Sequence, residues 1–263
     1  MVQEGLFDIG ITGLDWVLET ASDVEILQNL NYGNVKLIMA VSANSDVDNV
    51  DELIEKYIGS RGVLRISTEY LNLASKYISS FESYRKICGN KQPTIITPWW
   101  VKTGCDKVKI FLSFGATEAK PPEDADAIFD NMSTGITLFQ NNLKIIGEYI
   151  ESEAVLIANK KALSDYRREK ILDIKTLLKG VVDAKDRLHI FVNVHEKNLE
   201  KLLAMLPALK SPTISPLKEK GWYSINTIIK KDDFFSIVSV LRKLAQGLVV
   251  YEPRQVLLLE GEK

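Results

Sequence analysis

From Val35 onward, apolar runs of strand length alternate with stretches whose apolar residues recur at helical spacing. Val35–Val41, Val63–Ile66, Lys107–Phe114 and Ala154–Ala158 read as strands, with helices at Val50–Ile58 and Glu69–Phe81. Such alternation constrains the chain to a helix-wound α/β sheet and excludes a helical bundle or an all-β sandwich. Upstream, Phe7, Ile9 and Ile11 alternate with Asp8, Gly10 and Thr12, the period of a strand with one buried face. Gly13 ends that run, and Asp15–Glu19 opens a helix. A buried strand a few residues from Met1, with nothing before it to pair with, predicts that an N-terminal piece is missing. Ser164 to Asp183 reads as one helix with an apolar stripe of Ile171, Ile174, Leu178 and Val181.

The C-terminal part has a separate rhythm. A strand at Leu188–Val194 leads to a helix carrying Leu199, Leu202, Leu203 and Leu206. Two strand-like segments follow, Leu209–Leu217 and Trp222–Ile229. A helix carrying Phe234, Ile237, Val238 and Leu241 then precedes a last strand at Leu248–Tyr251. The order β-α-β-β-α-β is that of a ferredoxin-like domain.

Composition narrows the function classes. At 263 residues the chain is long enough for two or three cores. A net charge of -2 with no concentrated run of Lys and Arg argues against a nucleic-acid binder. No apolar run approaches the roughly 20 residues needed to cross a bilayer, and the first residues lack the pattern of a secretory signal. Cys88 and Cys105 have no metal-ligand spacing and are too few for a disulfide framework, so a reducing cytoplasm is the expected compartment. His189 and His195 stand apart from any Cys or carboxylate cluster, so no dedicated metal site is expected.

The strongest chemical signal is Asp130-Asn131-Met132-Ser133-Thr134-Gly135-Ile136-Thr137-Leu138. An apolar run, Ala125–Phe129, meets a loop of small hydroxyl residues around one glycine and then a helical stretch, Leu138–Leu143. Backbone N–H groups at such a junction, with the hydroxyls of Ser133, Thr134 and Thr137, suit an anion. Gly135 would let the backbone close on a phosphate. Asp130 could reach ribose hydroxyls while the loop holds a 5-phosphate. A Ser/Thr helix cap with a glycine turn, and Asp130 as an Asx turn, explain the same residues without a ligand.

Several separated segments resemble the signatures of the ATP phosphoribosyltransferase family, in its long form. These are Phe7–Trp16 (FDIGITGLDW), Arg65–Leu73 (RISTEYLNL), Gly115–Thr137 (GATEAKPPEDADAIFDNMSTGIT), Glu153–Leu163 (EAVLIANKKAL) and Leu206–Leu217 (LPALKSPTISPL). The LysProPro stretch at 120–122 and Pro98-Trp99-Trp100 look like archaeal-type members. Each segment alone is a weak signal; their common order along the chain is specific.

The resemblance implies transfer of a phosphoribosyl group from phosphoribosyl pyrophosphate to N1 of ATP with release of pyrophosphate, the first step of histidine biosynthesis. It implies a two-lobed, periplasmic-binding-protein-like (type II) α/β catalytic region followed by the ferredoxin-like regulatory domain. Family members carry several dozen more residues before the position matching Met1, so the first lobe is expected to be incomplete. The expected division is 1–34 with 156–185 for the first lobe, 35–155 for the second and 186–263 for the regulatory domain.

By the same resemblance, Asp130, Ser133, Thr134, Gly135 and Thr137 cradle the ribose 5-phosphate, with Glu118 and Asp126 as further candidates for the sugar or its metal. Asp8, Gly10, Gly13 and Asp15 would face the cleft on the nucleotide side, although Asp15 and Trp16 read equally well as a helix cap and a core anchor. Mg2+ is the implied cofactor, bridging pyrophosphate oxygens and keeping several waters. Histidine is the implied inhibitor, held by Asn193, Leu209, Thr213, Ile228 and Leu248. For Thr213 and Asn193 a turn residue and a strand-end cap are the alternatives. A symmetric homo-oligomer, dimers assembling into hexamers, is implied as well. A non-catalytic, histidine-sensing or subunit-like binding protein derived from the family is the alternative reading of the whole chain.

Overall fold

The structure is a computed structural model, and it describes residues 1–207 and 211–257. The chain divides into two compact units, Met1–Ala162 and Leu163–Lys263. Along the first unit run β1 (Ile9–Gly13), α1 (Leu14–Thr20), β2 (Glu25–Asn29), β3 (Val35–Ser42), α2 (Val50–Arg61), β4 (Leu64–Thr68), α3 (Leu71–Ser79) and α4 (Glu82–Cys88). They are followed by β5 (Pro93–Ile96), β6 (Val101–Lys102), β7 (Cys105–Leu112), β8 (Ala127–Met132), α5 (Ile136–Gln140), β9 (Leu143–Ser152) and β10 (Ala154–Ala158).

These strands build two sheets. The larger has the order β6-β5-β7-β4-β8-β3-β9, and the smaller the order β1-β10-β2. Within the larger, β5, β7, β4 and β8 are parallel, so their carboxyl ends share one edge. β3 runs antiparallel to both β8 and β9. Leu37 through Val41 on β3 are fully buried, as expected of a strand covered on both faces. Leu53 and Ile54 of α2, Ile66, Ile78, Ile110 and Phe129 complete the main core.

Local chemistry fixes the helix ends. Asn49 caps α2 by accepting from the Glu52 N–H at 2.9 Å, and the Glu52 carboxylate returns to the Asp48 N–H at 2.9 Å. Gly62, at φ 74, closes the same helix in the left-handed region. The amino end of α3 is capped from elsewhere in the chain: the buried Glu19 carboxylate of α1 accepts from the N–H groups of Asn72 and Leu73, both at 2.8 Å. Burial holds that carboxyl above the usual range against these stabilising bonds.

Three expectations are corrected in this unit. Phe7 and Ile11 do not face a core; they are 55% and 53% exposed. The small cluster of Val17, Val155 and Ile157 lies on the Gly10 side of β1, where an added Cβ would come 3.0 Å from Val2. The stretch Leu138–Leu143 is not a helix continuing from the loop: α5 is a single turn, and Leu143 already starts β9. Cys88 and Cys105 are joined in a disulfide, because the end of α4 packs against the start of β7 with Cα atoms 5.6 Å apart.

The second unit comprises α6 (Arg168–Lys185), β11 (Arg187–His195), α7 (Glu196–Leu203), β12 (Thr213–Pro216), β13 (Trp222–Lys230), α8 (Lys231–Leu244) and β14 (Ala245–Tyr251). Its antiparallel sheet has the order β12-β13-β11-β14, the ferredoxin-like arrangement expected from the pattern. Leu188, Ile190, Val192 and Val194 alternate inward from β11 and pack with Ile225, Ile229, Leu202, Ile237 and Leu241. α6 begins at Arg168 instead of Ser164, after a separate turn at Ala162–Ser164. Of its expected stripe only Ile171 is buried, and Val181 is 42% exposed. Gly180 and Ala184 are the other inward positions, since the Gly180 carbonyl accepts from the Val256 N–H and an added Cβ would lie 2.3 Å from Leu257.

Candidate functional site

β8 delivers Asp130 to the carboxyl edge of the parallel strands, where ligands bind in open α/β sheets. After Met132 the chain leaves the sheet, and Gly135 at φ 76 is the residue that caps α5. Asp130, Ser133, Thr134, Gly135 and Thr137 then line one cavity of about 280 Å³, together with Glu118. Glu118 arrives on the loop that follows β7, two strands away.

The electrostatics of the cavity are acidic. Burial pushes the Asp130 carboxyl up to about 6. Its own-neighbour bond from the Asn131 N–H, 2.7 Å, and a bond with the Thr117 side chain pull the other way, while Glu69 and Glu118 add repulsion. Glu69 is fixed in turn by accepting from the Gly115 N–H at 2.7 Å. The sequence reading did not single out Glu69, although its position at the end of β4 was the available signal.

Asp126 is not part of this cavity. It precedes β8, about 20 Å of extended chain from Ser133. Its buried carboxylate accepts from Arg61 Nη1 at 2.8 Å and Arg65 Nη2 at 2.9 Å. The Arg65 backbone N–H donates to it as well, at 2.8 Å. Both oxygens are thus committed to holding α2 and β4 beside β8, and Asp126 is withdrawn as a sugar or metal candidate.

Asp8, Gly10 and Gly13 line neither this cavity nor its larger neighbour. Asp8 offers its carbonyl to the Asn159 N–H. Gly13 precedes α1 because a Cβ there would lie 2.1 Å from Asp15 Oδ1. Asp15 is 4% exposed and belongs to a hydrogen-bonded chain. The Ser152 hydroxyl donates to it at 2.9 Å and the Tyr70 hydroxyl at 2.7 Å, while the Asn131 amide donates to the Tyr70 oxygen at 2.8 Å. Trp16 stacks on Tyr70 with ring centroids 5.0 Å apart. Asp15 thus reaches the Asp130 loop through Tyr70, a residue the sequence reading passed over; it is not the cap of α1, which is Gly13, and Trp16 is no core anchor, since it remains 39% exposed.

The larger cavity, about 660 Å³, lies where the chain crosses between the two sheets and is lined by Asn29, Asn34, Lys36, Glu151 and Glu153 among others. It shares Met132 and Ser133 with the smaller one, so the two are neighbours across the loop.

In the second unit, residues paired across antiparallel strands share a sheet face. Asn193 pairs with Ser224, Ile228 with His189 and Thr213 with Asn226, so all three stand on the face away from α7 and α8. Leu248 pairs with Val192, a core residue, and lies on the opposite face. It is therefore not beside the other three. Leu209 lies outside the described residues.

A mixed α/β sheet with an acidic, hydroxyl-lined cavity at the carboxyl edge of its parallel strands, in a chain that also carries a ferredoxin-like unit, defines a two-unit α/β protein with a candidate anion and sugar site. Comparison with known proteins specifies it further. The family profile described as ATP phosphoribosyltransferase matches residues 1–180, and that described as the HisG C-terminal domain matches 184–254. An ATP phosphoribosyltransferase of Koribacter versatilis is 36% identical over 98% of this chain and 81% of its own length. One of Chlorobium phaeovibrioides is 33% identical over 95% and 77%. The solved ATP phosphoribosyl transferase (HisG:HisZ) complex from Thermotoga maritima is similar in fold, with a TM-score of 0.51 at 21% identity over 69% of this chain and 73% of that one. The chain belongs to the ATP phosphoribosyltransferase family. It is a pentosyl transferase of histidine biosynthesis, moving phosphoribosyl from phosphoribosyl pyrophosphate to N1 of ATP with release of pyrophosphate.

Proposed function

We propose that the cavity at the end of β8 holds the phosphoribosyl group of phosphoribosyl pyrophosphate. The observation that carries this reading is the convergence of two carboxylates, Asp130 and Glu118, with three hydroxyl residues around one small opening. Hydroxyls of Ser133, Thr134 and Thr137 donate to the 5-phosphate, and Gly135 lets the chain turn beneath it without a Cβ. Asp130 accepts from the ribose hydroxyls.

In the reaction the lone pair of N1 of ATP forms a bond to ribose C1 as the bond from C1 to pyrophosphate oxygen breaks. The electron pair leaves with pyrophosphate. Positive charge grows on the ring in between, and the carboxylates of Asp130 and Glu118 face it from fixed positions. The remaining task is orientation of two bound reactants, which asks for no acid–base residue.

Mg2+ fits this donor set. No group of three or more acidic, His or Cys side chains that could enclose a metal occurs among the described residues, but a magnesium ion bound through pyrophosphate oxygens needs only one or two carboxylates. Asp130 and Glu118, hard oxygen donors whose mutual repulsion a cation would relieve, would hold it. When bound, the ion supplies charge that stabilises the departing pyrophosphate.

We further propose that histidine inhibits through the second unit, bound on the open face of its sheet where Asn193, Thr213 and Ile228 stand. A symmetric homo-oligomer, dimers building to hexamers, and a cytoplasmic location complete the reading. Their support is the family resemblance.

Phosphoribosyl pyrophosphate binding by calorimetry tests the central assignment. Thr137→Val removes one donor without touching the left-handed Gly135, and should weaken binding about tenfold, as expected for a hydrogen bond to a charged group. Unchanged affinity would remove the loop from the site.

A further inference from the structure

We propose that Trp99 and Phe114 form the platform on which the adenine ring of ATP stacks; the inference rests on the reading of the Asp130 loop as the phosphoribosyl site. Both rings are exposed, Trp99 by 72% and Phe114 by 70%, yet both are held on rigid backbone. Trp99 sits in a tight turn closed by the Thr97 N–H to the Trp100 carbonyl at 3.0 Å. The buried Thr97 hydroxyl oxygen also accepts from the N–H groups of Trp99 and Trp100, at 3.3 and 3.0 Å. Phe114 stands between Ser113, whose N–H donates to the Thr68 carbonyl, and Gly115, whose N–H donates to Glu69. An apolar side chain that gains nothing from the core and is still fixed by its backbone suits a ligand.

Their position selects the ligand. β5 and β7 are parallel neighbours in which Ile96 pairs with Phe111. Trp99 and Phe114 each come three residues later, so they emerge side by side at the carboxyl edge, with ring centroids 6.1 Å apart and planes inclined at 53°. The same edge carries Asp130, two strands from Phe114 and three from Trp99. At about 4.8 Å per strand that is roughly 10 and 14 Å, a gap that a purine lodged between the two rings narrows toward the sugar. The loop that holds Phe114 also supplies Thr117 and Glu118 to the Asp130 cavity. N1 of ATP must meet ribose C1, so the acceptor base has to lie beside the sugar, and the Trp99–Phe114 pair offers it an exposed aromatic surface on the same edge. The wedge between the inclined rings admits one ring stacked on the Trp99 indole with its edge against Phe114.

The experiment measures ATP and phosphoribosyl pyrophosphate binding separately by calorimetry, for the unaltered protein, Trp99→Ala, Trp99→Phe and Phe114→Ala. Trp99→Ala should weaken ATP about tenfold, the loss typical of one base–aromatic stack. Phe114→Ala should lose less, Trp99→Phe should recover most of the affinity, and phosphoribosyl pyrophosphate should bind all four proteins alike. Inorganic tripolyphosphate, which has no base, should compete with ATP equally well in every variant. ATP affinity unchanged in Trp99→Ala overturns the proposal and leaves the aromatic pair to another partner. Equal losses for both substrates, or a parallel loss for tripolyphosphate, also overturn it, because the rings would then support the loop or the phosphates instead of the base. Failure of the phosphoribosyl assignment is separate: it appears as insensitivity of phosphoribosyl pyrophosphate to Thr137→Val.

Discussion

Replacing Asp130 by Asn should stabilise the free protein and impair its binding of phosphoribosyl pyrophosphate. The carboxyl is pushed up to about 6 from a usual 3.8, first by burial and then by Glu69 and Glu118. That difference corresponds to about 3 kcal/mol of cost to the ionised form. Water entering the open cavity moderates it, so about 2 kcal/mol is the expected gain for the neutral amide at pH 7.5. The amide oxygen can still accept from the Asn131 N–H, which keeps the local turn. The direction with pH follows from the raised value. Protonated Asp130 contributes its full stability below pH 3.8, and that contribution fades as pH rises through about 6. Urea unfolding of the two proteins should therefore give equal stabilities near pH 3.5 and diverge in favour of the variant between pH 4 and 7. Binding runs the opposite way, since ribose hydroxyls and a cation need the carboxylate: the affinity of the unaltered protein should rise more steeply with pH through about 6 than that of the variant, whose remaining slope is the ionisation of the ligand's own phosphate near the same pH. A variant less stable at pH 7.5, or one whose affinity rises as steeply with pH as the unaltered protein's, would refute the placing of a destabilised carboxylate at the sugar. The trade of stability for a charged site is a familiar property of binding centres.

Two other perturbations probe what holds the site in place. Tyr70→Phe removes the hydroxyl between Asp15 and Asn131 and leaves a buried carboxylate oxygen without that donor. Unfolding free energy should fall by about 2 kcal/mol, with weaker phosphoribosyl pyrophosphate binding as Asn131 loosens; a loss below 0.5 kcal/mol would mean the chain of bonds is incidental. Reducing the Cys88–Cys105 bond, which closes a sequence separation of 17 residues around the Trp99 turn, should cost about 3 kcal/mol in the loop-closure account; an identical denaturation midpoint with and without reductant would count against the cross-link.

What the sequence made legible depended on periodicity that burial enforces. The run Val35–Val41 was readable because β3 is covered on both faces, and the order of the second unit was readable because β11 alternates strictly between core and open face. The Asp130–Thr137 loop stood out because hydroxyl residues around a glycine have few uses in a core. Errors arose where apolar side chains are not buried. Phe7 and Ile11 have the alternation of an inward face, but Phe7 precedes β1 and Ile11 points outward from a three-stranded sheet. In α6 the expected stripe is buried at Ile171 and exposed at Val181, while the inward positions Gly180 and Ala184 carry little hydrophobic signal and gave no pattern to read. β5, β6 and α4 are short, and their patterns fell below what a window can resolve.

Asp126 and Leu248 fall away from their expected sites for a different reason. Asp126 and Asp130 are four apart on the same segment and chemically identical, and only the strand's direction separates them. At the amino end of β8 a carboxylate meets Arg61 and Arg65 and becomes part of the scaffold; at the carboxyl end it meets Glu69, Glu118 and open cavity and keeps its charge at a cost. Leu248 fails in the same way, since a shift of one residue along β14 exchanges the core face for the face of Asn193. Residue type and spacing can nominate such positions. Which end of a strand, and which face, is decided by pairing with strands distant in the chain, and that pairing also brings Glu69 and Tyr70 toward Asp130 although no local pattern links them.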